Sequence, residues 1–168
     1  MRQVHSSDGI TPRAPFVIMA GGVWDLGPHR GHLNLLWRAK QLGDLLIVGI
    51  CTDEGAAAYK GQRPVQCYEE RERFIRQLPF VDLTVRQEST DPTDLLEKYR
   101  PDVLVHGSDW TELLQGQETV ERLGIRWHLL PYTPGVSTTL LRGRLEGGLE
   151  AVPKGGLEGG CTPSERAV

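Results

Sequence analysis

The 168-residue sequence is poor in cysteine and aromatic residues and has little excess charge, and each shortage weighs against a class of protein. Only Cys51, Cys67 and Cys161 occur, an odd number set far apart, with no paired metal spacing and no redox pair. That pattern argues against a disulfide framework and for a reduced, cytoplasmic setting. The formal net charge of −3 lacks the basic footprint of a nucleic-acid binder, so no nucleic-acid partner is expected. A small anionic ligand stays open, because a local site can be positive on an acidic protein. No apolar run approaches a membrane span, so no membrane partner is expected either. Residues 1–14 carry His5, Ser6, Ser7 and Asp8 where a signal peptide would carry its apolar core, and they read as a flexible leader.

What is present suits one soluble domain with a real core. Hydrophobic residues make up 39% of the chain and charged residues 24%, and the length is short for two domains. Apolar runs of strand length alternate with stretches of helical period. Phe16 to Ala20 is the first expected strand. Gly31 to Leu42 is the first helix, with Leu35, Leu36, Ala39 and Leu42 on one face. Leu45 to Ile50 is a continuous apolar run, as expected of a strand buried on both faces. A loop containing Lys60 to Pro64 leads to a helix over Tyr68 to Leu78, rich in Glu and Arg on its outer face. A strand at Val81 to Val85, a helix from the Asp91-Pro92-Thr93 start to Tyr99, and a strand at Val103 to Val105 follow. A helix near Gln117 to Leu123, a strand at Arg126 to Leu130 and a last helix from Ser137 complete the series.

This alternation predicts right-handed crossovers and a parallel α/β sheet with helices on both faces, spanning residues 15–145. Ligands of such sheets bind beyond the carboxyl ends of the strands. From Glu146 the composition changes: Gly-Gly-Leu-Glu occurs at 147–150 and again at 155–158, among Pro and further Gly. Such a segment buries too little apolar surface to offset its ordering entropy, and residues 146–168 read as a disordered tail.

The most informative stretch is His29-Arg30-Gly31-His32, between the first strand and the first helix. A glycine there lets backbone approach a ligand, and a helix N-terminus offers free N–H groups and a positive dipole end. Two imidazoles beside it add donors suited to charge developing on phosphorus. Alone, the pair would equally suit a structural or metal-binding role, but no further ligand cluster accompanies it, and no metal site is expected. Three more segments follow in order: Lys60 with Arg63-Pro64, then Gly107-Ser108-Asp109-Trp110, then Gly135-Val136-Ser137-Thr138-Thr139.

With Gly22-Val23-Trp24-Asp25 ahead of the histidines, these motifs resemble the cytidylyltransferase-like nucleotidyltransferases, from about Phe16 to Arg144. That family includes glycerol-3-phosphate and phosphoethanolamine cytidylyltransferases and the heptose-phosphate adenylyltransferases. The resemblance implies a Rossmann-like domain that joins a nucleotide to a phosphorylated small alcohol or sugar and releases pyrophosphate. It implies catalytic roles for His29, His32 and Lys60. It also implies ligand contacts from Gly22, Val23, Trp24, Asp25, Gly31, Arg63, Gly107, Asp109, Trp110, Ser137 and Thr138. Mg²⁺ is implied with CTP or ATP; it keeps waters and needs few protein ligands. Dimers are usual in the family, so the resemblance admits a homodimer.

Plainer readings stand beside several of these. Lys60 and Arg63 also suit a solvated loop, Ser137 a simple N-cap, Trp110 a core cap and Asp53 a strand-end turn. Arg71 falls where relatives often carry Glu-Arg, yet a solvated helix face would explain it nearly as well. Two departures bear on activity. Gly27 and Pro28 put two residues between Asp25-Leu26 and His29, where relatives have one, and Tyr132 stands where the cytidylyltransferases often have Arg. Arg142 and Arg144 could restore the missing cation. A nucleotide-binding relative without turnover is therefore the alternative reading. Lys60-Gly61, Arg63-Pro64 and Asp91-Pro92 lean towards the adenylyltransferases. Residues 107–110 and 135–139 lean towards the cytidylyltransferases, and CTP is slightly favoured.

Overall fold

The computed structural model describes residues 13–108 and 115–147. Residues 1–12 of the expected leader, residues 148–168 of the expected tail, and both Asp109 and Trp110 lie outside the described residues. The elements run β1 (Val17–Gly22), α1 (Arg30–Lys40), β2 (Leu45–Cys51), α2 (Asp53–Lys60), α3 (Tyr68–Arg76) and β3 (Leu83–Gln87). They continue α4 (Thr93–Tyr99), β4 (Val103–Gly107), α5 (Gln117–Leu123), β5 (Arg126–Leu130) and α6 (Thr138–Gly147). All strand pairs are parallel, in the order β3-β2-β1-β4-β5. The chain builds one side of the sheet from β1 outwards, then returns to build the other from β4. The crevice beyond the ends of β1 and β4 is thus the topological switch point, where ligands of such sheets bind.

Side chains alternate across each strand, and both faces are buried. Ile18 and Ala20 of β1, Leu46, Val48 and Ile50 of β2, and Val103 and Val105 of β4 join one cluster with Leu36 and Ala39 of α1 and Ile75 of α3. Met19, Ile47 and Leu104 point the other way, into a second cluster with Leu95 and Leu96 of α4 and Val120 of α5. Two buried faces explain why these strands read as unbroken apolar runs. Leu36 is fully buried, and a side chain of its kind contributes about 1.5–3 kcal/mol on burial.

One helix was not expected from the sequence. Residues read as a loop before Lys60 form α2, which is short and carries a glycine and three alanines but little apolar periodicity. Tertiary contacts hold it. Thr52 Oγ1 accepts from Gly55 N at 3.1 Å and donates to Glu88 O at 3.0 Å. A Cβ on Gly55 would lie 2.2 Å from Glu88 O, so only glycine lets the helix rest on the β3–α4 connection. Lys60 consequently ends a helix, capped by Gly61 in the left-handed region at φ 70°, and does not ride on a loop. The last helix reaches Gly147, slightly beyond the expected start of the tail at Glu146.

Candidate active site

The link from β1 to α1 follows an unusual backbone path. Trp24, Leu26 and Gly27 have φ values of 58°, 54° and 151°. Trp24 is buried and its indole N–H donates to Gly49 O at 2.8 Å, so this side chain pins the loop to β2. Gly22 leaves room for that ring, which would lie 3.0 Å from a Cβ there. Gly27 answers for the extra residue. A Cβ on it would lie 2.2 Å from His29 N, and its own N–H donates to Gln66 Oε1 at 2.9 Å. The chain turns at a position that glycine alone tolerates, and His29 stands at the head of α1.

His29 is the N-cap of α1. Its Nδ1 accepts from Gly31 N at 3.1 Å and His32 N at 3.4 Å, which puts the ring proton on Nε2. That Nε2 is buried and has no partner among the described residues, and the same is true of His32 Nδ1. The two rings stack with centroids 3.7 Å apart, and Trp24 meets His32 edge-on at 5.2 Å. Gly31 is the spacer that permits this, because a Cβ there would sit 3.0 Å from the His29 ring. Burial pushes the His32 pKa down to about 3, with the charges of His29 and Lys60 acting in the same direction. Burial lowers His29 as well. Both rings are therefore neutral near pH 7, each with one N–H to donate.

Beside the loop lies a cleft of about 80 Å³ lined by Lys60, Arg63, Thr138, Thr139 and Arg142, with Val23 and Asp25 at its floor. Asp25 is 2% exposed and accepts from Val65 N, Gln66 N and Arg142 at 3.0 Å each. Burial opposes its ionisation, but these hydrogen bonds outweigh it and hold the carboxyl below its usual range. Asp25 thus fastens residues 65–66 and α6 to the loop. Arg142 is spent on Asp25 and Gln62, so it does not replace the cation absent at Tyr132, whose hydroxyl donates to Val136 O at 2.9 Å. Arg63 pairs with Glu54 at the surface. Lys60 makes no ion pair among the described residues and lines this cleft as well as the cavity described below. Ser137 Oγ accepts from Leu140 N at 3.1 Å as a cap on α6, while Thr138 Oγ1 donates to Asp25 O at 3.3 Å. Neither the cleft nor the cavity is lined by His29 or His32. Gly107 ends β4, buried, beside the segment that holds Asp109 and Trp110.

Arg71 is not on a solvated face. It is fully buried and donates to Val23 O, Cys51 O and Gln66 O and to the Asp53 carboxylate, joining the ends of β1 and β2 to the loop before α3. Asp53 also accepts from Tyr68 N at 3.3 Å. With Asp25 and Asp53 so engaged, no group of three His, Cys, Asp or Glu side chains forms a metal site among the described residues. No described helix is long and apolar enough to cross a membrane.

A larger cavity, of about 340 Å³, opens on the other side of Val23 and Lys60, between the ends of β1, β3 and β4. Gln87, Gln115 and Trp127 line it, and none of the three was singled out in the sequence. One signal pointed there: Gly49 interrupts an apolar strand, and such a glycine marks a close approach. The amide of Gln87 crosses at that point. Its Oε1 would lie 2.6 Å from a Cβ on Gly49 and 2.8 Å from one on Gly21, the register partner of Gly49 in β1.

Residues 19–144 match the family model described as Cytidylyltransferase-like. The chain is 36% identical over 129 residues to the bifunctional protein HldE of Syntrophotalea carbinolica, covering 76% of this chain and 26% of that protein. It is 38% identical over 125 residues to HldE of Geobacter sulfurreducens, covering 73% and 25%. The chain therefore spans about a quarter of the length of these curated relatives. The crystal structure of a lipopolysaccharide core biosynthesis protein from Thermoplasma volcanium superposes with a TM-score of 0.60 at 27% identity, over 71% of this chain and 98% of that one. The stacked histidine pair, the parallel sheet and the matched span agree: the chain belongs to the cytidylyltransferase-like family of nucleotidyltransferases.

Proposed function

We propose that this chain transfers a nucleotidyl group from a nucleoside triphosphate, taken as its magnesium complex, to the phosphate of a small sugar phosphate. An oxygen of the acceptor phosphate attacks the α-phosphorus. The bond from that phosphorus to the α–β bridging oxygen breaks, and pyrophosphate leaves with the bridging oxygen. Such a reaction asks for positioning and charge stabilisation more than for covalent chemistry by the protein. The observation that carries the reading is the histidine pair: His29 holds α1 through Nδ1 and keeps Nε2–H buried and unpartnered at the switch point.

In this reading His29 and His32 donate to the phosphate oxygens as charge builds on them, and Lys60 supplies a cation that makes no ion pair among the described residues. Arg63, Ser137 and Thr138 border the triphosphate, and Gly107, Asp109 and Trp110 meet the nucleoside. The likeness to HldE proteins and to a lipopolysaccharide core biosynthesis protein supports a sugar phosphate acceptor and moves the preference from CTP towards ATP. The test is pyrophosphate release with ATP or CTP against glycerol 3-phosphate and a set of sugar 1-phosphates. Release is expected with ATP and at least one sugar 1-phosphate. Triphosphate binding without release for any pair would make the chain a nucleotide-holding relative without turnover.

A further inference from the structure

Three buried polar atoms from three separate elements meet the cavity of about 340 Å³ without a hydrogen-bond partner among the described residues. They are Gln87 Oε1 at the end of β3, Gln115 Oε1 ahead of α5, and Trp127 Nε1 on β5. Gln87 is only 4% exposed, and its Oε1 lies against the part of the cavity wall formed by Gly21 and Gly49. A buried polar group left unpaired costs stability, and three around one space are explained by a ligand that pairs them. The glycines at 21 and 49 strengthen the point. Each replaces a strand-forming side chain, and between them they make the groove in which the Gln87 amide lies.

We infer that Gln87, Gln115 and Trp127 are specificity-determining residues that read the hydroxyl groups of the acceptor, a neutral polyhydroxylated body whose phosphate lies towards Lys60. This rests on the nucleotidyl-transfer reading for which end of the ligand reacts. The chemistry of the wall sets the class. Apart from Lys60 at the boundary with the cationic cleft, the described residues that line it include no Lys, Arg, Asp or Glu. A trimethylammonium or amino group would find no carboxylate among those described residues. Hydroxyls, which both donate and accept, suit two amides and an indole N–H. Leu104 and the rings of Tyr59 and Trp127 supply apolar wall for the C–H faces of a sugar. A nucleobase is the competing occupant, since aromatic walls and amides also suit a base.

The experiment measures binding by calorimetry and turnover in parallel, on the full chain and on Gln87→Leu and Trp127→Phe. The first keeps the side chain's bulk, and the second keeps a ring while removing the N–H. Ligands are sugar 1-phosphates, phosphocholine, inorganic phosphate, ATP and CTP. At least one sugar 1-phosphate is expected to bind tenfold or more tighter than phosphocholine or inorganic phosphate. Each variant is expected to weaken that sugar phosphate at least tenfold and to leave both triphosphates within twofold. Equal binding of phosphocholine, unchanged sugar phosphate affinity in both variants, or a matching loss of triphosphate affinity would each overturn the inference. Should Gln87→Leu fail to fold, Trp127→Phe decides on the same criteria. Sugar phosphate binding that depends on these residues without pyrophosphate release would keep the inference and end the transfer reading. Release that is indifferent to both variants would do the reverse.

Discussion

The cationic cleft and the neutral cavity share Val23 and Lys60, yet their polar groups are treated in opposite ways. Around the cleft, charges answer one another: Asp25 with Arg142, Asp53 with Arg71, Glu54 with Arg63. Around the cavity, Gln87 Oε1, Gln115 Oε1 and Trp127 Nε1 are buried with no partner among the described residues. Answered groups hold a shape before any ligand arrives, and unanswered ones favour a ligand that completes them. The histidine pair combines both conditions, since His29 Nδ1 is spent on the helix while Nε2 is kept free.

The strongest way to break the answered side is Arg71→Met. It strips the buried partner from Asp53 and from three carbonyls, and breaking a buried pair of this kind costs about 3–5 kcal/mol. Urea unfolding is expected to show a lower midpoint with an unchanged slope. A loss below about 1 kcal/mol, the scale of an exposed pair, would mean that Arg71 does not hold the strand ends together.

His29→Ala and His32→Ala probe the groups kept free. Each is expected to lower turnover at least about 100-fold, the scale of losing a transition-state donor. His29→Ala also removes a helix cap, so it is expected to lower stability by about 1 kcal/mol, more than His32→Ala does. Near-normal rates in both variants with native circular dichroism would show that the pair is structural.

Acid probes the histidine pair without mutation. The folded-state pKa of His32 lies near 3, below the value of about 6.5 for an unfolded histidine. Its contribution is fully present above about pH 6.5 and is lost as pH falls towards 3, because the unfolded chain binds a proton that the folded one refuses. Stability is expected to fall by up to about 1.4 kcal/mol per pH unit in that window from this group. His32→Phe is expected to flatten the slope in urea unfolding followed between pH 7 and pH 5, and an unchanged slope would assign it to other groups.

The smallest expected effect is at Lys60, which is exposed and borders both the cleft and the cavity. Lys60→Ala is expected to weaken triphosphate or acceptor binding by about tenfold, the change a single charge-assisted contact gives, with little change in melting temperature. Unfolding with ligand affinity untouched would make the side chain structural.

Local chemistry made much of this molecule legible. The apolar runs at Leu45–Ile50 and Val103–Val105 could only be buried strands, and the stretches at 117–123 and 126–130 coincide with α5 and β5. The His29 to His32 string marked the helix start because its residues act within one turn. The φ of 151° at Gly27 was readable too, since glycine is the residue that adopts such a value without strain. What escaped depended on distant partners. Helix α2 is held by Thr52 and by the approach of Gly55 to Glu88, neither of which has a period to detect. Arg71 looked like one charge among several on α3 because its three carbonyl partners come from other segments of the chain.

The alternation of strands and helices, the histidine–glycine string at the head of α1 and the family pattern could be read from the chain alone, because short-range periodicity and backbone freedom are written residue by residue. Only the tertiary structure decided which polar groups are consumed and which are left open. Asp25 is taken by Arg142, 117 positions away, while Gln87 lies over two glycines from neighbouring strands. Pairing and desolvation depend on what surrounds an atom in space, and that neighbourhood exists only once the sheet has assembled.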